Sequence, residues 1–126
     1  MTLTRRHVLA ASAAALAAPA VIAQQAWPSK TIRIVVPYPP GGSSDIIARA
    51  IQPLLQDALK QSVIVENKAG ANGNLGTDFV AKSAADGHTF VLCDVGALAI
   101  TPSVYTKLPF DPSKDLRGVT MLAYSP

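Results

Sequence analysis

The sequence predicts an α/β fold in which helices cover a parallel sheet. Two observations predict it: short apolar runs rich in β-branched residues alternate three times with helical periodicity, and the connections between them are short. Right-handed crossovers would place the loops after the strands along one edge of such a sheet. Ligands bind at the carboxyl ends of parallel strands, so loops 37–44, 67–74 and 94–97 are expected to converge there.

The first strand and its turn lie in the stretch IRIVVPYPPGGSSD, residues 32–45. The β-branched run at 32–36 predicts a buried strand, which the prolines that follow it must end. Gly41 and Gly42 allow unusual dihedral angles and the close approach of a ligand, so we expect Gly42→Val to disturb the site most. Ser43 or Ser44 is predicted to cap the next helix, and Asp45 lies in its first turn.

A helix is predicted from this cap to Leu59, with Pro53 expected to kink it or loosen one turn. Its predicted apolar face consists of residues that recur at helical spacing: Ile46, Ile47, Ala50, Ile51, Leu54, Leu55, Ala58 and Leu59. The unit of strand, glycine-rich turn and helix N-terminus offers exposed amides and a positive dipole end. It therefore predicts a site for a small anion.

The remaining elements are shorter. A second strand is predicted at 62–66, a second helix at 75–83 and a third strand at 89–94. A short helical stretch follows around 98–101, and 118–124 is predicted to be a fourth strand.

Residues 1–23 have the three-part build of a secretory signal: a basic start, an apolar run and small residues before a cleavage position near Ala23. The segment around Arg5-Arg6 also resembles a twin-arginine signal, so the choice between the two export routes stays open. We expect a periplasmic protein. Without this segment nine Lys and Arg face eight Asp and Glu, and no basic patch predicts a nucleic-acid partner.

Candidate reactive residues are few. Cys93 is a single cysteine, which excludes an intramolecular disulfide and favours a buried thiol. His88 could be a general base, but we interpret it as a surface residue of a turn. Asp45, Asp78 and Asp94 have no metal-ligand spacing, and the glycine-rich loop fits neither a phosphate loop nor a dinucleotide fingerprint. We predict no catalytic residue, no metal and no cofactor.

Four segments, in order over the whole mature chain, carry a resemblance to a known family. They are WPSK at 27–30, IRIVVPYPPGGSSDIIAR at 32–49, VIVENKAGANGNLGTDFVAKSAADGHT at 63–89 and LPFDP at 108–112. Together they resemble the substrate-binding proteins of tripartite tricarboxylate transporters, the TctC or Bug receptors. The resemblance implies a non-enzymatic periplasmic receptor with a type II periplasmic-binding-protein fold, whose lobes are three-layer α/β structures. Its implied partners are a small carboxylate (a di- or tricarboxylate, an amino acid or an aromatic acid) and a membrane permease.

Carried onto this sequence, the resemblance implies that backbone amides, hydroxyls and bridging waters hold the carboxylate. The implied ligand-binding residues lie in two loops: Tyr38, Gly41, Gly42, Ser43, Ser44 and Asp45 in the first, and Gly70, Ala71, Asn72 and Gly73 in the second. Asp45 either caps its helix or receives an amino group. Family members are roughly two to three times longer, so residues 24–126 are expected to be an N-terminal lobe, apparently truncated, without the second lobe.

Two other functions stay open at this point. An exported α/β hydrolase or transferase could use the glycine-rich loop as an oxyanion site, in which case Ser43 or Ser44 would be essential for turnover. The chain could also be a truncated gene product without a binding function.

Overall fold

The computed structural model of the protein describes residues 26–94, 96–105 and 107–124. The predicted export signal at 1–23 lies outside the described residues. The strands are β1 (Ile32–Val36), β2 (Val63–Asn67) and β3 (Thr89–Val91). The helices are α1 (Ser43–Leu59), α2 (Asn74–Ala81), α3 (Thr101–Val104) and α4 (Pro112–Asp115), with single turns at Ala71–Gly73 and Gly96–Ile100. Within the described part of the chain, no helix combines the length and the apolar character needed to cross a membrane.

The sheet is parallel, as predicted, with the strand order β2-β1-β3. Strand β1 is central because it is the most apolar, and four of its five residues are buried. Ile34 is paired with Val65 of β2 on one side and with Phe90 of β3 on the other. The carboxyl ends of all three strands therefore lie at the same edge.

Helix α1 follows the turn after β1, but its cap differs from the prediction. The N-cap is Gly42 and no side chain caps the helix, so Ser43 and Ser44 are its first helical residues. The helix continues past Pro53, and Lys60 ends it in the left-handed conformation with φ 52°. A proline inside a helix removes one hydrogen bond, and packing of the apolar face against the sheet offsets this loss.

Only part of the predicted apolar face of α1 meets the sheet. The stripe that packs there consists of Ala48, Ile51, Leu55 and Leu59, of which Ala48 was not predicted. Ile46 and Leu54 are 62% and 68% exposed, so the prediction was wrong for them. The two sets are separate rows along one helix, and periodicity alone did not show which row faces the sheet.

Helix α2 covers the opposite face of the sheet. Successive residues of a strand point to opposite faces, so Arg33 and Val35 face away from α1. Val35 is fully buried, and the Arg33 guanidinium lies 5.9 Å from the centroid of the Phe79 ring in α2. Helices on both faces make the predicted three-layer α/β arrangement.

The predicted fourth strand is not present. Residues 118–124 have no regular secondary structure, and Val119 and Met121 are each 74% exposed. Strand β3 also ends at Val91 instead of position 94. Alternating apolar residues form a strand only when a neighbouring strand pairs with them, and nothing in the described structure pairs with 118–124.

Candidate functional site

The loops after the three strands meet at the carboxyl edge of the sheet, as predicted. We call residues 37–42 the first loop and residues 68–73 the second loop. Tyr38 of the first loop accepts a hydrogen bond at its carbonyl oxygen from Asn67 Nδ2, 3.2 Å away at the end of β2. Its hydroxyl hydrogen-bonds Asp94, which follows β3. A methyl group added at Gly73 would lie 3.3 Å from the Tyr38 phenol. Tyr38 therefore contacts the segments that follow β2 and β3 while it belongs to the loop that follows β1.

The Tyr38 phenol is a permanent hydrogen-bond donor. Burial raises its pKa well above the usual value, and the hydrogen bond and negative charge of Asp94 raise the pKa further. The hydroxyl keeps its proton at every ordinary pH. The Asp94 carboxylate is thereby held beside the second loop.

Asp45 is only 3% exposed and is bonded entirely to protein groups. Its Oδ1 accepts from Asn67 Nδ2 at 2.9 Å and from Arg49 Nε at 3.1 Å. Its Oδ2 accepts from the Gly41 amide at 2.9 Å and from Arg49 Nε at 3.0 Å. The Arg49 hydrogen bond, then the Gly41 amide and Asn67, lower the pKa of Asp45 to about 2. Asp45 thus attaches the first loop to α1 and β2, and both of its oxygens accept hydrogen bonds from protein groups.

Asn67 belongs to the candidate site, and the sequence analysis did not select it. Besides its bonds to Tyr38 and Asp45, its Oδ1 accepts a hydrogen bond from Arg49 Nη2 at 3.0 Å. It therefore connects the end of β2 with the first loop and with α1. The available signal was its position: a polar residue at the carboxyl end of a strand in a parallel sheet.

The two glycines of the first loop differ. Gly41 has φ +86°, a conformation that glycine adopts without strain, but its amide is bonded to Asp45. Gly42 has φ −75°, so the unusual dihedral angles expected there were a wrong prediction. The amides of Ser43 and Ser44 are in the first turn of α1, where a helix supplies no acceptor, and they lie at its positive end. With the Asp45 amide, these are the first-turn amides that α1 itself leaves without an acceptor.

The second loop contains a left-handed turn. Ala71, Asn72 and Gly73 have φ values of 48°, 55° and 88°, and Gly70 has φ 145°. For residues other than glycine this conformation costs about 1–2 kcal/mol each. Ala71 and Asn72 are exposed at the carboxyl edge of the sheet. Strained, exposed backbone of this kind is characteristic of ligand-binding loops.

Gly76 of α2 was also missed. A methyl group there would lie 2.8 Å from Pro37 Cβ, 2.9 Å from Pro37 Cα and 2.9 Å from the Lys68 carbonyl oxygen. Helix α2 therefore contacts the start of both loops directly. Only glycine permits this contact, which holds the two loops at a fixed separation.

A cavity of about 350 Å³ opens beside Tyr38 and the second loop. Its lining is partly polar and partly apolar: Asn72, Asp94, Ile100, Thr101, Val104 and Tyr105. Of the predicted site residues, only Asn72 lines it directly. The predicted binding residues of both loops are described in the structure, and their contact with a ligand stays a prediction.

The interpretation of His88 as a surface residue was wrong, because His88 is 6% exposed. Its Nε2 accepts from the Ser29 amide at 3.2 Å, and its Nδ1 lies 3.2 Å from Asp86 Oδ1. Trp27 Nε1 donates to the Gly87 carbonyl oxygen at 3.1 Å beside it. His88 precedes β3 and therefore lies at the opposite edge of the sheet from Ser43 and Ser44. It attaches the segment before β1 to the turn before β3.

The remaining candidate residues, Cys93 and Asp78, interact with neighbouring protein groups. Burial, and then the charge of Asp94, raise the pKa of the half-buried Cys93 thiol to about 11, so the thiol stays protonated. Asp78 forms an ion pair with Lys82 at 2.7 Å. In the part of the chain that the structure describes, no three His, Cys, Asp or Glu side chains form a metal-ligand set.

The fold and the loop cluster define a class of protein. A three-layer α/β lobe with ligand loops at the carboxyl ends of parallel strands is the architecture of periplasmic binding proteins. The MatC protein of Rhodopseudomonas palustris with bound malate matches with a TM-score of 0.67 and 36% identity, over 71% of this chain and 30% of that one. The R. palustris protein Rpa4515 with adipate matches with a TM-score of 0.65 and 37% identity, over 69% and 29% of the two chains. The periplasmic binding protein BugD matches with a TM-score of 0.66 and 34% identity, over 71% and 29%.

The family follows from the sequence comparisons. The model of the tripartite tricarboxylate transporter family receptor, TctC, matches residues 47–126. The BugT protein of Bordetella pertussis strain Tohama I is 44% identical over 114 residues, which are 90% of this chain and 34% of that protein. The chain belongs to the tripartite tricarboxylate transporter receptor family, a family of receptors and not of enzymes. It spans about a third of the length of the curated relatives that it matches.

Proposed function

We propose that this chain is the N-terminal lobe of an exported solute receptor and that it captures a small carboxylate. The proposal depends mainly on one observation: Asp45, in the helical turn that Ser43 and Ser44 begin, bonds both Gly41 of the first loop and Asn67, which directly precedes the left-handed second loop. The ligand carboxylate binds the amides of Ser43 and Ser44, the serine hydroxyls and the backbone of the second loop, of which residues 70–72 are exposed. Tyr38 forms the wall between the two loops.

The charge distribution supports an anionic ligand. A carboxylate at the N-terminus of a helix is favoured by its dipole and by its unpaired amides. The negative charge of Asp45 does not oppose this, because Arg49 lies 3.0 Å away and three groups donate hydrogen bonds to the same carboxylate. The donors at the start of α1 therefore lie beside an ion pair and not beside an uncompensated negative charge.

The relatives support the ligand class and the location. Solved structures similar to this chain contain malate and adipate, which are both dicarboxylates, and one is described as a periplasmic binding protein. The ligand is accordingly a small organic acid, and its acceptor is the permease of a tripartite transporter. Residues 1–23 direct export and are removed near Ala23. N-terminal sequencing of the protein recovered from the periplasm of its host tests the cleavage position, and its intact mass then gives the length of the mature chain.

The binding test uses the protein at the length that its host produces, because a second lobe contributes to the affinity of two-lobed receptors. Isothermal titration with a panel of mono-, di- and tricarboxylates is expected to give saturable binding without turnover. Gly42→Val should lower the affinity at least about tenfold, because its branched side chain displaces a carboxylate from the neighbouring amides.

The same substitution should leave the fold intact. Gly42 has an ordinary φ, and a methyl group there lies 3.6 Å from the nearest atom, the Pro39 carbonyl oxygen. Gly118→Val is the matched control, since nothing lies within 4 Å of its added methyl group. Equal affinities for wild type and Gly42→Val would show that the first loop does not bind the carboxylate. If the protein hydrolyses an ester probe and Ser43→Ala abolishes this hydrolysis, the protein is an enzyme and the receptor proposal is wrong.

A further inference from the structure

Strand β2 forms one outer edge of the sheet, because the strand order is β2-β1-β3. The Ser62 carbonyl oxygen accepts a hydrogen bond from β1 at 2.9 Å, and the Lys68 amide donates one to β1 at 2.9 Å. The backbone groups of successive residues in a strand face opposite sides along the sheet. Ser62, Lys68 and the even-numbered residues between them therefore bond β1, and the backbone groups of residues 63, 65 and 67 face outwards.

An outer edge of this composition favours pairing with another strand. Val63, Ile64 and Val65 are β-branched, and the strand contains no proline. Unpaired amide and carbonyl groups on such an edge are a template for a strand of another chain. In the described structure no strand pairs with the outward side of β2. This edge is therefore a point at which two copies of the chain could associate.

Two glutamines of α1 occupy the first outward position of this edge. Gln52 Nε2 donates to the Val63 carbonyl oxygen at 2.7 Å, and the Val63 amide donates to Gln56 Oε1 at 3.2 Å. The two glutamines are four residues apart and therefore lie on the same face of the helix. Together they present one donor and one acceptor to Val63, as a neighbouring strand does. Both glutamines are partly buried, and Val63 is fully covered.

We propose that Gln52 and Gln56 close the outer edge of β2 and so prevent it from pairing with the same strand of a second copy of this chain. The outward backbone groups that remain are those of Val65 and Asn67, at the end of the strand. Pairing over so short a length is marginal, because strands usually pair over several residues. The glutamine side chains also occupy the space that a strand bonded to Val63 would take. This role is independent of the receptor function.

The test measures the association state of the protein, at the length that its host produces, by sedimentation velocity over a range of protein concentrations. The double variant Gln52→Ala, Gln56→Ala should form dimers and larger species at concentrations at which the wild type does not. Gln61→Ala is the matched control and should associate no more than the wild type, since the Gln61 side chain has no hydrogen bond with any described residue. Far-UV circular dichroism verifies that each variant is folded. If the double variant does not fold, the two single variants give the same comparison with one hydrogen bond removed in each.

A second control separates an open edge from a loss of stability. Gly76→Ala changes α2, on the opposite face of the sheet, and its added methyl group would lie 2.8 Å from Pro37 Cβ. It is expected to lower the stability without opening the edge of β2, so it should not associate. Val65→Pro, introduced into the double variant, removes an amide that faces outwards and leaves the hydrogen bonds to β1 in place. It should restore the association state of the wild type.

Three results would contradict the inference. Unchanged association of the double variant would show that the glutamines do not close the edge. Association of Gly76→Ala to the same extent would assign the effect to lowered stability. Dimers that persist after Val65→Pro would show that the copies do not pair through β2.

Discussion

The contact between α2 and the two loops makes Gly76→Ala the most informative substitution for the architecture of the site. The added methyl group would lie 2.8–2.9 Å from three atoms, and two of these, Pro37 Cα and the Lys68 carbonyl oxygen, belong to the backbone. Backbone atoms cannot rotate away as the end of a flexible side chain can. The helix or the loops must therefore move.

Two effects of opposite sign determine the magnitude. Overpacking of a well-filled interior costs about 1–3 kcal/mol, and the rigid backbone neighbours favour the upper part of that range. Replacing glycine by alanine inside a helix contributes up to about 1 kcal/mol of stability. The expected net result is a loss of about 1–2 kcal/mol in the free energy of unfolding. Ligand affinity should fall as well, because Pro37 and Lys68 begin the two loops.

Urea unfolding followed by far-UV circular dichroism measures the stability, and titration with the best carboxylate measures the affinity. Gly118→Ala is the control, because its methyl group meets no atom within 4 Å. A Gly76→Ala protein as stable as the control, or more stable, would refute the reasoning. It would mean that helix propensity outweighs the contact and that α2 is not pressed against the loops.

Two further predictions follow from the shifted pKa values. The pKa of Asp45 is lowered from 3.8 to about 2, so its contribution to stability is present above pH 4 and is lost as the pH falls towards 2. The difference in melting temperature between wild type and Asp45→Asn should therefore shrink over that interval, and a difference independent of pH would contradict the assigned bonds. The pKa of Cys93 is raised from 9.0 to about 11, which lowers its thiolate fraction at pH 8 about 100-fold. Iodoacetamide should alkylate the folded protein far more slowly than the urea-unfolded protein, and equal rates would show an exposed, unshifted thiol.

The sequence alone determined the first three strands, the two helices between them and the parallel direction of the sheet. The β-branched run of β1, the proline that follows it and the helical periodicity of α1 are local properties, and each was sufficient to predict its element. A helix between successive strands then indicated a parallel arrangement, which placed the loops at one edge. The general location of the candidate site was therefore predictable without coordinates.

Only the tertiary structure decided which polar groups are bonded to each other. Asp45 and Asn67 are 22 residues apart, and Ser29 and His88 are 59 apart, so no local pattern relates them. Asp45 and His88 each lie next to a turn, where side chains are usually exposed. Both are buried because of these hydrogen bonds. A hydrogen-bond partner distant in sequence becomes a neighbour only when the sheet has formed.

The tertiary structure also decided which apolar residues are covered. Ile46 and Leu54 have the same periodicity as the buried residues of α1, and 118–124 has the alternation of a strand, yet these residues are largely exposed. Hydrophobic periodicity shows that a face exists, and the packing of neighbouring elements determines whether it is buried. For the same reason the close contact of Gly76 with Pro37 and Lys68 was invisible in the sequence, since it arises where a helix and two loops meet.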